Sequence, residues 1–332
     1  MRNGRRKIQF LYMAHMWKHI VAVILLISVV MITISCASQK KDVQKIEEMV
    51  MNNLSIETRA VSESFHVPDI QVTQLGSAQD LFFAIQNALY SFDDTFYVKT
   101  DTYEVFTGYW DLLYSSSVLH SAFQMNTVSM TYYDGTPCVI EIHFQYNDTG
   151  KVLQHFVTES KEPYENMSQQ ELGKKLFDIQ EEIIFSSMTD TEKVIAIHDY
   201  LVRNCVYTES SDEEEDEYLA SAYSVLIEGR GQCQGYSEAF VALCIISNIP
   251  ARVISGTTDL ADELVAHAWN QVMIDGIWYH VDVTWDDPIP DMGDYVTRVY
   301  LLKSDTYFAD THDWSSYFQY CSYDLDYDND PY

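Results

Sequence analysis

One short segment fixes more of this chain than any other: a cysteine bracketed by glycines that leads straight into an apolar run. Gly231-Gln232-Cys233-Gln234-Gly235-Tyr236 is followed by Ala239, Phe240, Leu243, Cys244 and Ile246 at helical spacing, and the run ends at Asn248-Ile249-Pro250. The helix has to start at the cysteine, so the sulfur sits at its N-terminus. Unpaired backbone N–H groups and the positive end of the helix dipole favour thiolate over thiol there, which supplies a nucleophile near neutral pH.

Two further polar residues can be placed from pattern. Ala266 to Ile274 and Ile277 to Trp285 read as strands, joined by the two-residue turn signal Asp275-Gly276. If Ile274 pairs with Ile277, Trp269 faces Asp282 and His267 faces Thr284, so His267 and Asp282 are diagonal neighbours on one side of the ribbon. Such neighbours lie roughly 7–8 Å apart at the backbone, within reach of an imidazole and a carboxylate pointing toward each other. The carboxylate can then hold the ring in the tautomer that takes a proton from sulfur.

At these residues the chain resembles the transglutaminase-like superfamily of papain-like cysteine enzymes. The resemblance rests on Gly231 to Phe240, on His267-Ala268-Trp269-Asn270, and on Trp278-Tyr279-His280-Val281-Asp282-Val283-Thr284-Trp285-Asp286. His198-Asp199-Tyr200-Leu201 and Tyr300-Leu301-Leu302-Lys303-Ser304-Asp305 look like bacterial members, so the likeness covers roughly residues 165–315. It implies an α+β papain-like core and an acyl-enzyme mechanism: Cys233 as nucleophile, His267 as general base and acid, Asp282 as orienter. It implies no cofactor and no metal. Hydrolysis of protein or cell-wall peptide amides is the expected reaction, with protein cross-linking by acyl transfer, or a noncatalytic binding module of the same fold, as alternatives.

Other residues have plainer readings beside their functional ones. Gln232 stands where the family more often carries a small apolar residue and bears on the pocket lining. Trp269 and Trp285 either line a groove or pack in the core. The Cys233 backbone N–H is the default oxyanion donor, and Tyr223 is the candidate for a second. Cys205 and Cys244 read as small buried hydrophobes. His198 reads as a packed or capping residue, and Asp286 and Asp287, ahead of Pro288, as turn residues.

The amino terminus bears on location. Arg2, Arg5, Arg6 and Lys7 precede an apolar stretch from Ile20 to Ile34, then Ser35-Cys36-Ala37-Ser38. This reads as a lipoprotein signal over residues 1–35, with Cys36 as the lipidated first residue of the mature chain. The alternatives are an uncleaved anchor, although the stretch is shorter than the ~20 residues that span a bilayer, and a simple secreted signal, against which Cys36 stands where the lipid would go. Each reading puts the body outside the cytoplasm, and the first two hold it to a bacterial membrane by its N-terminus. With 20 Lys and Arg against 50 Asp and Glu, the formal charge is −30. Such a surface repels phosphates, which excludes nucleic acid as a partner and leaves attachment to the lipid.

The remaining chain divides into a tether over 36–75, a small α+β domain over 76–155, and the transglutaminase-like domain over 165–332. Ala78 to Tyr90 has helical spacing, and Thr127 to Tyr133 and Cys138 to Tyr146 alternate around Asp134-Gly135 as a hairpin. Ser168 with Glu171, and Thr189 with Glu192, match capping-box spacing, and Leu172, Leu176, Ile179 and Ile183 form one stripe. These helices are expected to pack behind the Cys233 helix. Asp212 to Glu217 reads as a solvated loop, and the alternating Asp324, Asp326, Asp328 and Asp330 as an acidic tail.

Overall fold

The structure is a computed structural model that describes residues 55–61, 72–116, 125–133, 135–210, 212–260 and 263–325. The apolar stretch before Cys36, Cys36 itself and the tail beyond Leu325 lie outside the described residues. Among the described residues no helix is long and apolar enough to cross a membrane.

The N-terminal half consists of β1 (Ser55–Val61), β2 (Val72–Gln74), α1 (Ala78–Ser91), β3 (Thr95–Thr100), α2 (Tyr103–Ser115), β4 (Met125–Tyr133), β5 (Cys138–Tyr146) and α3 (Asp148–Val157). Its sheet has the order β1-β4-β5-β3-β2. The expected helix and hairpin are both present, and two strands ahead of residue 76 join the same sheet. Helix α1 starts where Ser77 Oγ accepts from the Asp80 N–H at 3.2 Å, while Asp80 Oδ2 accepts from Gly76 N–H and Ser77 Oγ at 2.9 Å each. Leu81, Phe82, Ile85 and Leu89 form its buried face. In β5 the alternation is complete: Cys138, Ile140, Ile142, Phe144 and Tyr146 are buried, and the residues between them face outward.

The second half opens with α4 (Met167–Ile183) and α5 (Asp190–Asn204). Thr189 and Glu192 make the expected capping box at α5. Helix α4 starts two residues earlier than the Ser168 reading predicts. Asn166 accepts from the Gln169 N–H at 2.8 Å, and Gln169 Oε1 accepts from the Glu165 N–H at 3.1 Å, so an asparagine-based cap replaces the serine one. Next come β6 (Val206–Tyr207), α6 (Glu213–Leu219), a π turn over Ser224–Glu228, β7 (Arg230–Gly231) and α7 (Cys233–Ile246). The acidic run is therefore not a loop. It forms α6, started by Asp212, whose Oδ1 accepts from the Glu215 N–H at 3.1 Å, and it places negative charge at the helix N-terminus where the dipole favours it.

Helix α7 is buried on nearly every side, from Gly235 to Cys244. That follows from its composition, since a helix without a polar face has to be enclosed. Helices α3, α4 and α5 cover one side of it, as expected for the latter two, and a second sheet covers the other. That sheet contains β8 (Ala251–Leu260), β9 (Glu263–Ile274) and β10 (Ile277–Val281). After α8 (Val283–Asp286) it is completed by β11 (Leu301–Lys303), α9 (Asp305–Phe308) and β12 (His312–Trp314), in the order β11-β10-β9-β8-β12. Ile274 pairs with Ile277 as predicted, across a turn in which Asp275 (φ 52°) and Gly276 (φ 79°) are both left-handed. The second strand is shorter than the sequence suggests. Pairing ends at Val281 opposite Asn270, because Asp282 leaves the sheet to cap α8, its Oδ1 accepting from the Trp285 N–H at 3.1 Å.

Candidate active site

Cys233 is the first residue of α7, and among the described residues no side chain caps that helix, so the amides of its first turn can face a ligand. Gln232, the N-cap residue, donates its side-chain amide to Asp216 Oδ1 on α6 and its backbone N–H to Leu219 O at 2.9 Å. The end of α6 thus lies against the cysteine turn. Gly235 is required there: a Cβ on it would stand 2.6 Å from Leu219 O.

His267 reaches the thiol from β9. Its partner across the sheet on β8 is Gly256. His267 Nε2 lies 2.7 Å from Asp282 Oδ2, and both residues are buried. A carboxylate only accepts, so the proton is on Nε2 and the other ring nitrogen is turned to the hydrogen bond with Cys233. The contact predicted from the hairpin is present, although Asp282 makes it from a helix cap rather than from a strand.

The electrostatics follow from these contacts. Burial alone would raise the Cys233 pKa, but the hydrogen bond and charge of His267, together with the Ala268 N–H, outweigh it and hold the thiol below its ordinary value. Burial alone would lower that of His267. Asp282 and Cys233 reverse this and push it up to about 10. Asp282 is held well below the usual carboxylate range, its burial offset by His267 first and His312 next. The arrangement favours a thiolate–imidazolium pair.

The other expected site residues separate into neighbours and bystanders. Trp269 is fully buried; it stacks on His267 with centroids 6.0 Å apart and donates Nε1–H to His280 Nδ1 at 3.0 Å, so it is a core residue. Trp285 packs 5.9 Å from the His267 ring and 4.7 Å from His312, which leaves it beside the chemistry. Tyr223 does not serve as an oxyanion donor: its hydroxyl is committed to Glu171 Oε2 at 2.5 Å. A different tyrosine stands closer. The parallel pairing of β6 with β7 sets Tyr207 beside Gly231, and burial and then the Cys233 charge raise its pKa.

Asp286 corrects another expectation, while His198, read as a packed or capping residue, is buried as expected. Asp286 is no turn residue: its Oδ1 accepts from the Val299 and Tyr300 N–H groups at 2.7 and 3.1 Å, and its Oδ2 meets His198 Nε2 at 3.1 Å. His198 Nδ1 faces Asp199 Oδ1 at 3.1 Å, so this buried ring ties α5 to the helix that Asp282 caps. Asn270 makes a similar tie, donating Nδ2–H to Ser237 O of α7 at 3.0 Å.

Sequence reasoning missed His312. It lies on β12, outside the quoted motifs, and its Nε2 is 3.1 Å from the Asp282 oxygen that His267 also uses. No local pattern marks it, because β12 is three residues long. Among the described residues, His267, Asp282 and His312, and also His280, Asp305 and Cys321, gather three potential metal-ligand atoms each. In both groups the histidine nitrogens are already engaged in hydrogen bonds with the carboxylate, and the donor sets read as proton networks.

Residues 178–283 match the transglutaminase-like superfamily core, so this part of the chain is a transglutaminase-like domain. Human kyphoscoliosis peptidase is 24% identical over 145 residues, which is 41% of this chain. The chain spans only 22% of that relative's length. Among solved structures, a candidate cysteine protease from Cytophaga hutchinsonii is 19% identical, with 48% of this chain and 57% of that one covered at a TM-score of 0.30. A TGase is 14% identical, with 57% and 50% covered at 0.29.

Proposed function

We propose that this protein is an extracytoplasmic cysteine hydrolase that cleaves amide bonds in protein or cell-wall peptides. The observation that carries the reading is the line from Cys233 at the head of α7, through His267, to Asp282 at 2.7 Å. In the reaction, the Cys233 thiolate attacks the carbonyl carbon. The oxyanion forms against the free amides at the start of α7. His267 passes its Nε2-anchored ring's other proton to the departing amine, the C–N bond breaks, and a thioester remains. Water, deprotonated by the now neutral His267, attacks the thioester, the C–S bond breaks, and the acid leaves with Cys233 restored as thiolate beside the protonated His267. Asp282 keeps the ring oriented and its positive charge matched throughout.

Water is the preferred acceptor because Cys233 is only partly buried, and a peptidase relative supports hydrolysis. Lipidation at Cys36 would tether the domain to the outer face of the membrane, where such peptides lie. The test is to incubate a panel of peptides and muropeptides with the protein and with Cys233→Ala. New termini or released ammonia, lost in the variant, support a hydrolase. Incorporation of an amine tracer into a glutamine donor would assign cross-linking instead, and binding that survives Cys233→Ala without turnover would assign a noncatalytic module.

A further inference from the structure

We infer that His312 is a fourth member of the site, a positioning residue that donates from Nε2 to the same Asp282 oxygen that holds His267 and so tempers the carboxylate's pull on the Cys233–His267 pair. The inference rests on the enzymatic reading of that pair. Asp282 Oδ2 receives His267 at 2.7 Å and His312 at 3.1 Å, while Oδ1 is spent on the Trp285 N–H. His312 Nδ1 lies 2.8 Å from Thr311 Oγ1. Because the carboxylate can only accept, Nε2 carries a proton and donates to it, while the Thr311 hydroxyl lies at Nδ1 and the Phe308 carbonyl also faces the ring.

The ring is buried and fixed by its neighbours. Trp285 stands 4.7 Å away, Trp269 4.8 Å and Phe308 4.5 Å, centroid to centroid. Burial, helped by the positive charge of His267, keeps His312 below its ordinary pKa despite the pull of Asp282 and the Phe308 carbonyl, so the ring donates in its neutral form. The titratable groups facing the network are Cys233 from α7, His267 from β9, His280 and Asp282 from β10 and its end, Tyr300 ahead of β11, and Tyr207 from β6.

The function of a second donor follows from charge. The Asp282 field raises the pKa of both Cys233 and His267. A neutral N–H aimed at Oδ2 spreads that negative charge, so both groups titrate at lower pH than they would with an unshared carboxylate. Cys233 then stays thiolate further into acid, and His267 gives up its proton to a leaving amine more readily.

The experiment is the acid limb of Cys233 alkylation by iodoacetamide between pH 3 and 8, read by mass spectrometry on the wild type, His312→Phe and His312→Gln, with thermal unfolding confirming that each is folded. Phenylalanine keeps the ring volume but removes the donor, and glutamine places an N–H near the former Nε2. His312→Phe is expected to move the limb to higher pH by on the order of half a unit, and His312→Gln to return it. Thr311→Val, which frees Nδ1 to take the proton from Nε2, shifts it the same way and serves if the phenylalanine variant does not fold. An unmoved or lowered limb in His312→Phe, or identical behaviour of the phenylalanine and glutamine variants, overturns the inference. If instead the wild type alkylates like an ordinary thiol, the enzymatic reading itself has failed.

Discussion

His267 and His280 sit on adjacent strands on either side of Trp269, both buried and both bonded through Nε2 to a carboxylate, yet their charge states are opposite. His267 pairs with Asp282 and is pushed up to about 10, whereas His280, 3.0 Å from Asp305, is held below its ordinary value by burial. The difference lies on the second nitrogen. His267 turns it to a thiol that can surrender a proton and become negative. His280 receives the Trp269 N–H there, and a nitrogen that accepts cannot carry a proton. His198 extends the rule: carboxylates face both its nitrogens, and its pKa is raised against full burial. In this core, then, burial lowers the pKa of every one of these histidines, and the partner of the nitrogen that faces away from the first carboxylate decides whether that is overcome.

Replacing Asp282 with Asn breaks the comparison most severely. The amide can donate to the ring, the tautomer is lost, and turnover of a peptide substrate is expected to fall by about 10⁴-fold. Retained turnover would remove Asp282 from the mechanism. His198→Phe is expected to cost roughly 1–3 kcal/mol in urea unfolding, since it removes the ring that bonds buried Asp199 and Asp286, which keep Arg298 and the Val299 and Tyr300 N–H groups among their partners. A change within the range of ordinary surface substitutions would show that these bonds do not hold the native state together.

The pH dependence of stability sharpens the account. Between ~6.5 and ~8.5 the unfolded chain holds one proton on the pair, as cysteine thiol with neutral imidazole. The folded pair also holds one, as thiolate with imidazolium, so its contribution is flat across that window. Above it, the unfolded chain loses the thiol proton while folded His267 keeps its own up to about 10, so stability falls as pH rises. Below ~6.5 the unfolded imidazole gains a proton, and for as long as the lowered thiol pKa keeps folded Cys233 a thiolate the folded pair gains none, so stability falls as pH drops. Each slope is about 1.4 kcal/mol per pH unit for one proton. Comparing urea midpoints of the wild type and a Cys233→Ala, His267→Ala double variant isolates the contribution, and a slope within the window would contradict the ion pair. The smallest effect concerns His280. Trp269→Phe removes the N–H and is expected to raise the His280 pKa in an imidazole NMR titration, at a stability cost of about 1 kcal/mol.

The site was legible where chemistry depends on local sequence. Cys233 at a helix start, the Asp275-Gly276 turn and the Ile274–Ile277 register are short-range facts, and together they bring His267 toward Asp282. The sequence did not reveal that Asp282 would leave the strand, because capping and strand continuation compete at that residue, and the ladder against β11 already shifts register between His280 and Val281. His312 was hidden for a different reason. It reaches Asp282 only through the pairing of β12 with β8, a contact across 54 residues between His312 and Thr258. Asp286 was misread because its partners, Val299 and Tyr300, come from a segment with no periodicity to announce it.

The central claim is that Cys233 rests as a thiolate because His267 is charged beside it. The direct measurement is the rate of Cys233 alkylation against pH in the wild type and in His267→Ala. Fast labelling that persists well below the free-thiol pKa of ~8.5, and that retreats toward this value in the variant, is the predicted result. Labelling in the wild type that tracks an ordinary thiol, unchanged when His267 is removed, would contradict it.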